Sequence, residues 1–499
     1  MHFHVLGLGS IGTLLAHHIR RTVDPKHAVV LMHKDKSRLL EATRKGGAIS
    51  VQSRGVQETS TGYEHDLVDA YHQPIDNTAN VTYQAQQKFR EKQRRVVDNT
   101  PIQSLFVTLK AYAILPALRL LLPRIRPSTT IVLMHNGLGV YERLIDELFR
   151  NSVNRPHFIL TSNTHGAYTI ENRLLSVVHA STKGSALKFG VAPDPRGRPL
   201  EQGILPGEQA LSLDALSTSD DPDAAHYASL RNTVTVLSNL VGLNSSWIPL
   251  SDLLVEMKRK VVVNSVINPL TAIMNCRNGD VATSPHTARI CRAICEEASL
   301  AFALQYNEQC ITGERPPLHL IPPLTPNARD AVLSRLPTTL RADALMKQVY
   351  RVATDTRFNT SSMLQDIRTN RKTEVDYMNG YLVSLGRRYK LQMRATSMLA
   401  NMVHLRQEIP LDLLMDLPRP EVIKEQFGTP QDERVMHRAW TLVKMRKFKR
   451  TRYRSESVHT RRVLHAKRRR AGKVARAHSE TPINAPNTSG IDDGKKWQY

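Results

Sequence analysis

A lysine and two asparagines recur at four-residue intervals within one strongly apolar stretch. Lys260, Asn264 and Asn268 therefore share one face of a predicted helix. The valine and isoleucine residues between them require burial, and a buried amine or amide is costly unless a polar group faces it. A substrate with a carbonyl and a carboxylate would satisfy all three side chains, and a polar contact between helices is the alternative. Pro269 is expected to kink this helix beside the site.

The N-terminus carries the pattern of a dinucleotide-binding loop. Gly7, Gly9 and Gly12 follow one short apolar run, precede an amphipathic helical pattern and are followed by a second apolar run at 28–32. In this β-turn-α-β context the first glycine permits a tight turn, the second the approach of a pyrophosphate, and the third close packing of helix on strand. The helix N-terminus offers free N–H groups to the anion. A glycine-rich turn in another α/β unit is the alternative.

The residues after the second apolar run bear on which dinucleotide is bound. NAD-binding proteins place an acid here for the ribose 2′-hydroxyl, whereas a cation accommodates the 2′-phosphate of NADP. Lys34 occupies this position, so we predict NADP(H) rather than NAD. Asp35 is evidence for NAD, but an aspartate here is also typical of the residue that caps the following helix.

Further apolar runs, typical of buried strands, end in polar residues. Lys110 follows the run at 104–109, and Asn136 follows the run at 130–134. Because ligands of open α/β sheets bind at the carboxyl ends of strands, both side chains are candidate cofactor contacts. Either residue alone is equally well explained as a capping or turn residue. Two later stretches, 359–368 and 371–382, predict helices with solvent-exposed faces and charges paired at i, i+4.

The composition excludes several classes of protein. The chain has 499 residues, of which 41% are hydrophobic and 23% charged, as in a globular protein of several domains. Four cysteines form neither a disulfide framework nor a zinc ligand set, so we predict reduced thiols and no metal site. No apolar run of about 18 residues predicts a membrane-spanning helix.

The net charge of +24 is concentrated near the C-terminus. Residues 438–478 carry 16 lysines and arginines against one acid, Glu456. This segment lacks a sustained apolar stripe, so we expect it to be disordered and to bind RNA or DNA weakly, in a salt-dependent and sequence-independent way. A nuclear localisation signal at 467–470 and a solvated extension without a partner are the alternatives.

The chain resembles the ketopantoate reductase (2-dehydropantoate 2-reductase) family, and the similar motifs occur in the family's order from about residue 1 to residue 420. The most specific strings are Asn-Pro-Leu-Thr-Ala, which starts at Asn268, and Ser-Ser-Met-Leu-Gln-Asp, which starts at Ser361. The matching segments are residues 7–12, 107–111, 135–139, 260–273, 361–368 and 373–380.

The resemblance implies roles for individual residues. Lys260 takes the position of the catalytic proton donor, and Glu374 that of a second catalytic residue expected to lie near it. The implied substrate-binding residues are Asn136, Asn264, Asn268, Asn278 and Ser362. The implied cofactor-binding residues are Gly7, Leu8, Gly9, Ser10, Ile11, Gly12, Lys34, Lys110, Asn136, Ala167 and Glu374.

The implied fold is α/β, with a Rossmann-type dinucleotide-binding domain followed by an all-helical domain. We expect these over residues 1–249 and 250–420, with a basic extension over 421–499. Relative to compact family members, the segments that look inserted are about 50–100, 196–230 and 311–350.

The implied activity is the NADPH-dependent reduction of 2-dehydropantoate to pantoate in pantothenate and coenzyme A biosynthesis. Two alternatives stay open: a reductase of another 2-keto acid, and a family relative with a non-catalytic, RNA- or ribosome-associated role through its basic tail. We expect a monomer or homodimer in the cytoplasm, with mitochondrial or nuclear location as the alternative.

Overall fold

The structure is a computed structural model, and its first 411 residues form one compact unit. It describes residues 1–44, 46–68, 100–170, 173–180, 184–200, 211–218, 220–312 and 326–409. The predicted extension over 421–499, with its nucleic-acid-binding segment 438–478, lies outside the described residues.

The N-terminal half is built on two β-sheets. The strands of its described part are β1 (His2–Leu6), β2 (Ala28–His33), β3 (Ile49–Ser53), β4 (Val56–Ser60), β5 (Glu64–Leu67), β6 (Ser104–Val107), β7 (Thr130–Leu133), β8 (His157–Asn163), β9 (Gly166–Thr169), β10 (Ser176–Ala180), β11 (Leu187–Val191) and β12 (Ser245–Trp247). The large sheet has the order β12-β11-β8-β7-β6-β1-β2-β5, and the small sheet β4-β3-β10-β9.

Six strands of the large sheet, from β8 across to β5, are parallel. Counted along the chain their order is 3-2-1-4-5-6, the order of the doubly wound dinucleotide-binding fold. Connections from β1 and β6 leave in opposite directions, so a crevice opens between the carboxyl ends of these two strands. The structure therefore confirms the predicted Rossmann-type sheet.

Helices cover both faces of the large sheet. They are α1 (Ser10–Thr22), α2 (Lys36–Arg44), α3 (Ala111–Leu121), α4 (Val140–Glu147), α5 (Leu213–Leu216) and α6 (Ala224–Ser238). Strands β6 and β7 are buried along their whole length, as expected for apolar runs covered on two sides. Two hydrophobic cores result, one on each face of the sheet.

The C-terminal half is helical. Its described helices are α7 (Leu250–Met274), α8 (Pro285–Thr312), α9 (Pro326–Arg335), α10 (Ala342–Asp355), α11 (Ser362–Arg368), α12 (Asn379–Arg388) and α13 (Arg394–Glu408). Helix α7 runs unbroken through Pro269 and packs against α8, α10, α11 and α13 around a third hydrophobic core. Among the described helices, none is long and apolar enough to cross a bilayer.

The described parts of the three predicted insertions are integral to the fold. Residues 49–67 form β3, β4 and β5, which belong to both sheets. Tyr227 and Leu230 of α6 are buried against the large sheet, and Leu345 and Val349 of α10 are buried in the helical core. These described parts therefore contribute strands and buried side chains to the fold.

The two polar stretches match the predicted exposed helices only in part: Gln365 and Arg368 are exposed on α11, but other positions are buried or lie in loops. Helix α11 begins only at Ser362, where the hydroxyl of Ser361 accepts a hydrogen bond from the Leu364 N–H at 3.1 Å. The second stretch starts as a non-helical loop and becomes helical only at Val375. Asp366 and Glu374 are 2% and 3% exposed, so these acids point into the protein and need buried partners.

Six histidines are buried in the described part of the N-terminal half: His4, His17, His33, His157, His165 and His179. In four of them, His4, His33, His157 and His179, burial is the main cause that lowers the pKa to about 4. In the unfolded chain a histidine titrates near 6.5. Stability from the neutral rings is therefore complete above about pH 6.5 and is lost as the pH falls from there towards 4.

We predict that mild acid destabilises the folded chain above the pH range in which ordinary carboxylates titrate. Between pH 7.5 and pH 5 the loss is on the order of 1 kcal/mol per buried histidine, measurable as a fall in Tm. His179→Gln should reduce this fall, and His2→Gln, at an exposed position, should leave it unchanged. Equal Tm values at the two pH values would contradict the prediction.

Candidate active site

A cleft of about 1690 Å³ runs from the glycine-rich turn after β1 to the helical half. Its floor is formed by the carboxyl ends of β1, β2, β6, β7 and β8, and its opposite wall by α7, the C-terminal part of α10 and the start of α11. All of the predicted site residues except Gly12 line it. The fold thus brings together residues that are up to about 370 positions apart in sequence.

The glycine turn fits a dinucleotide. Gly7 has φ +105°, and a Cβ on Gly12 would lie 1.9 Å from the Gly7 carbonyl oxygen, so only glycine permits this packing of α1 on the turn. Apart from its chain neighbours, no described residue has an atom within 4 Å of a Cβ placed on Gly9, which leaves room for a phosphate. Helix α1 begins at Ser10 without a side-chain cap, so its first N–H groups remain available to an anion.

After β2, two basic side chains line the cleft, whereas the neighbouring acid, Asp35, is used in a helix cap. Lys34 is exposed on the cleft, and Arg38 on α2 lines the same part of the cleft. Asp35 caps α2, because its Oδ1 accepts the Arg38 backbone N–H at 2.9 Å. This confirms the interpretation of Asp35 as a capping residue and leaves the cationic side chains to face the cofactor.

Lys260 projects from α7 towards the ends of β7 and β8. Its Nζ donates to Asn136 Oδ1 at 3.1 Å and to the Asn163 carbonyl oxygen at 2.6 Å. Burial lowers the pKa of Lys260 to about 8, and the more distant charge of Glu374 opposes that shift. The amine is thus oriented by two neutral oxygens and holds a proton that is easily released near neutral pH.

Glu374 bonds to a different lysine from the one expected. Its Oε1 accepts the Ala111 backbone N–H at 2.9 Å, and its Oε2 accepts from Lys110 Nζ at 3.2 Å. Glu374 and Lys260 form neither a hydrogen bond nor an ion pair. The charge of Glu374 acts on Lys260 only through space, where it opposes the lowering of that lysine's pKa by burial. Glu374 therefore connects the loop before α12 to the N-terminus of α3.

Lys110 is shared with a second buried acid, Asp366, whose Oδ2 lies 2.7 Å from Nζ. Burial by itself would lower the pKa of Lys110, but the charges of Glu374 and Asp366 outweigh it and raise the pKa. Burial raises the pKa of Asp366, and Lys110 opposes that shift. Lys110 thus stays charged beside the glycine turn, where a cofactor contact was predicted.

The predicted substrate residues line the helical side of the cleft. Asn264, Asn268 and Ser362 lie on α7 and at the start of α11. Asn278 donates from Nδ2 to Thr356 Oγ1 at 2.9 Å, while its buried Oδ1 has no partner among the described residues. Such an acceptor is costly and indicates a missing ligand or water. Ala167, on β9, lines the cleft on the side of the sheets.

Sequence reasoning missed three contributions to this site. Asp366 was assigned to an exposed face, although its position within the Ser-Ser-Met-Leu-Gln-Asp string was a usable signal. Asn163, at the end of β8, accepts a hydrogen bond from Lys260 through its main-chain carbonyl, which no side-chain pattern signals. His135 donates from Nδ1 to the Asn136 carbonyl at 3.0 Å, which steadies the residue that orients Lys260. In the described part of the chain, no group of metal-binding side chains comes together.

The parallel sheet, the uncapped helix at the glycine turn and the buried lysine define a dinucleotide-dependent oxidoreductase. The family models "Ketopantoate reductase PanE/ApbA" and "Ketopantoate reductase PanE/ApbA C terminal" match residues 3–193 and 252–407. The chain belongs to the ketopantoate reductase family.

Curated relatives and a solved structure agree with this membership. The 2-dehydropantoate 2-reductase of Saccharomyces cerevisiae is 26% identical over 77% of this chain and 87% of its own length. That of Salmonella typhi is 29% identical over 63% of this chain and 78% of its own length. A PanE/ApbA family ketopantoate reductase from Ralstonia eutropha, at 14% identity, shares the fold with a TM-score of 0.52 over 82% of this chain and 99% of its own.

Lys34 generates a prediction about cofactor preference. Lys34→Ala should weaken NADPH binding roughly tenfold, because a charge-assisted hydrogen bond to the 2′-phosphate is lost, and should leave NADH binding unchanged. Lys36→Ala is the matched control. It removes the same charge two residues away, at a position that does not line the cleft. Kd values from titrations at one ionic strength give the answer. An unchanged ratio of the two Kd values in Lys34→Ala would contradict the assignment.

Proposed function

We propose that this chain reduces 2-dehydropantoate to pantoate with NADPH, the step of pantothenate and coenzyme A biosynthesis for which its curated relatives are named. The observation that carries the proposal is the Lys260 amine, which is oriented by Asn136 and Asn163 in the cleft that begins at the glycine turn. Bound NADPH supplies the hydride that adds to the C2 carbonyl carbon.

Lys260 is assigned the role of proton donor. As the carbonyl carbon is reduced, negative charge develops on the carbonyl oxygen, and a neighbouring ammonium group stabilises it and then protonates it. The two hydrogen bonds to Asn136 and Asn163 use two of the three N–H groups of Lys260 and leave one for the substrate. A pKa near 8 keeps the donor protonated at neutral pH and makes transfer easier than from an ordinary lysine.

Binding and orientation are assigned to the surrounding polar groups. The N–H groups of α1, together with Lys34 and Lys110, would hold the anionic parts of the cofactor. Asn264, Asn268, Asn278 and Ser362 supply the amide and hydroxyl groups that suit a carboxylate, a carbonyl and a hydroxyl in one small substrate. The Glu374 carboxylate, held by Lys110 and Ala111, supplies an acceptor at the junction of the two halves.

A reductase of another 2-keto acid is the second candidate, because the same polar groups recognise any 2-keto acid. A non-catalytic, RNA- or ribosome-associated role is disfavoured by the oriented Lys260, which no binding function requires. Three further expectations stay predictions. They are nucleic-acid binding by residues 438–478, a monomeric or homodimeric state, and a cytoplasmic location, with mitochondria or the nucleus as the alternative.

A steady-state assay of NADPH oxidation tests the proposed function. With a panel of 2-keto acids, 2-dehydropantoate should give the highest kcat/KM. Lys260→Ala should lower kcat at least about 100-fold, the usual contribution of a general acid, while NADPH binding persists in a fluorescence titration.

The control is Lys258→Ala on the same helix. Burial also lowers the pKa of Lys258 to about 8, but this lysine lies against the Phe302 ring and does not line the cleft. Its loss should leave kcat unchanged. Full activity of Lys260→Ala would remove the proposed proton donor, and a wild-type chain that reduces no 2-keto acid would remove the proposed function.

The pH dependence of the reaction gives an independent check. Since the reactive form of Lys260 is protonated, kcat/KM should be constant below its pKa of about 8 and fall about tenfold per pH unit above it. An ordinary lysine would place this fall above pH 10. A profile without a decrease between pH 8 and pH 9.5 would contradict the role of Lys260.

A further inference from the structure

The loop between α10 and α11 is fixed to the start of the segment that follows α7. The Asn278 N–H donates to the Asn359 carbonyl at 3.1 Å, and the Gly279 N–H donates to the Arg357 carbonyl at 3.2 Å. A Cβ on Gly279 would lie 2.6 Å from Arg357 Cβ, so the two segments are in close backbone contact. These bonds hold residues 357–359 in one position beside Asn278.

This fixed loop presents an apolar side chain to the cleft. Phe358 lines the cleft and is 69% exposed. The Arg357 guanidinium lies 4.5 Å from the ring centroid and is the one ring contact of this kind at Phe358 among the described residues. A phenylalanine that is held by main-chain bonds but left largely uncovered is unfavourable in water, and its place in the cleft indicates that a ligand covers it.

Among the other apolar side chains at this end of the cleft, Val352 on α10 is only partly exposed, and two on α7 are buried. Val263 and Ile267 on α7 are 5% and 2% exposed, because they belong to the helical core. The nearby candidate substrate residues Asn264, Asn268 and Ser362 are polar. Phe358 is therefore the main apolar surface available to the side chain of a bound 2-keto acid.

Resting on the proposed function, we infer that Phe358 is a specificity-determining residue that covers the apolar carbon next to the keto group of the substrate. In 2-dehydropantoate that carbon bears two methyl groups and no polar atom. The ring takes no part in proton or hydride transfer. It selects acids that are branched at this carbon over acids with a plain CH₂ there, because burial of the methyl groups against the ring stabilises the bound state and the transition state alike.

A pair of substrates that differ only in these methyl groups tests the inference. They are 2-dehydropantoate, which is 4-hydroxy-3,3-dimethyl-2-oxobutanoate, and 4-hydroxy-2-oxobutanoate. In the full-length chain, Phe358→Ala should lower kcat/KM for the dimethyl substrate about tenfold, mainly through KM, and change kcat/KM for the unbranched substrate less than twofold. One or two methyl groups in an apolar contact account for a factor of this size.

Two further variants separate specificity from structure. Phe358→Leu, which keeps apolar surface, should restore most of the preference for the dimethyl substrate. Val153→Ala, at a position that is 66% exposed and does not line the cleft, should behave as wild type. The Kd for NADPH should be the same in all forms.

Equal losses for both substrates in Phe358→Ala, or no loss for either, would overturn the inference while leaving the proposed function intact. A change of sedimentation coefficient without a change in the substrate ratio would also overturn it, because Phe358 would then be covered by another protein molecule. If the wild-type chain reduces neither acid, the proposed function fails, and the inference fails with it.

Discussion

The cleft depends on an ammonium group that is buried without a bonded counter-ion. Lys260 has two oxygen acceptors, Asn136 Oδ1 and the Asn163 carbonyl, and among the described residues no carboxylate bonds to it. Neutral acceptors orient the amine but do not compensate its charge, so burial keeps its pKa near 8. This arrangement requires the ends of β7 and β8 to meet one face of α7. The parallel sheet and the unbroken helix are the elements that bring them there.

The neighbouring lysine shows what happens in the opposite case. Lys110 bonds to Asp366 and Glu374, and its pKa is raised despite burial. If Glu374 bonded directly to Lys260, the same ion pairing would raise that pKa and make proton donation harder. The Ala111 N–H and Lys110 hold the Glu374 carboxylate on the other side of the cleft. The two lysines thus differ in their electrostatics: Lys110 is a paired cation with a raised pKa, and Lys260 keeps the lowered pKa that its proposed role as proton donor requires.

How much of this was predictable depends on whether a contact is local in sequence. Spacing within one or two helical turns predicts three features: the glycine turn, the cap by Asp35, and the shared face of Lys260, Asn264 and Asn268. All three are present in the structure. The ion pairs of Lys110 with Asp366 and Glu374 join positions more than 250 residues apart, and no periodicity encodes them. The bond from Lys260 to the Asn163 carbonyl is also invisible in sequence, because every residue carries that group.

The two halves of the molecule line the cleft in different ways, and this bears on where specificity can arise. The N-terminal half offers a cofactor mainly backbone N–H groups and glycine positions, which tolerate little variation because a Cβ on Gly12 would collide with the turn. The helical half lines the cleft with side chains on α7, on α11 and on the loop that carries Phe358. Side chains at these positions are free of the sheet's packing constraints, and the backbone bonds from Asn278 and Gly279 hold the loop whatever side chain it presents. Differences in 2-keto acid preference within this fold are therefore expected to arise from the helical half, with the glycine turn and the donor lysine unchanged.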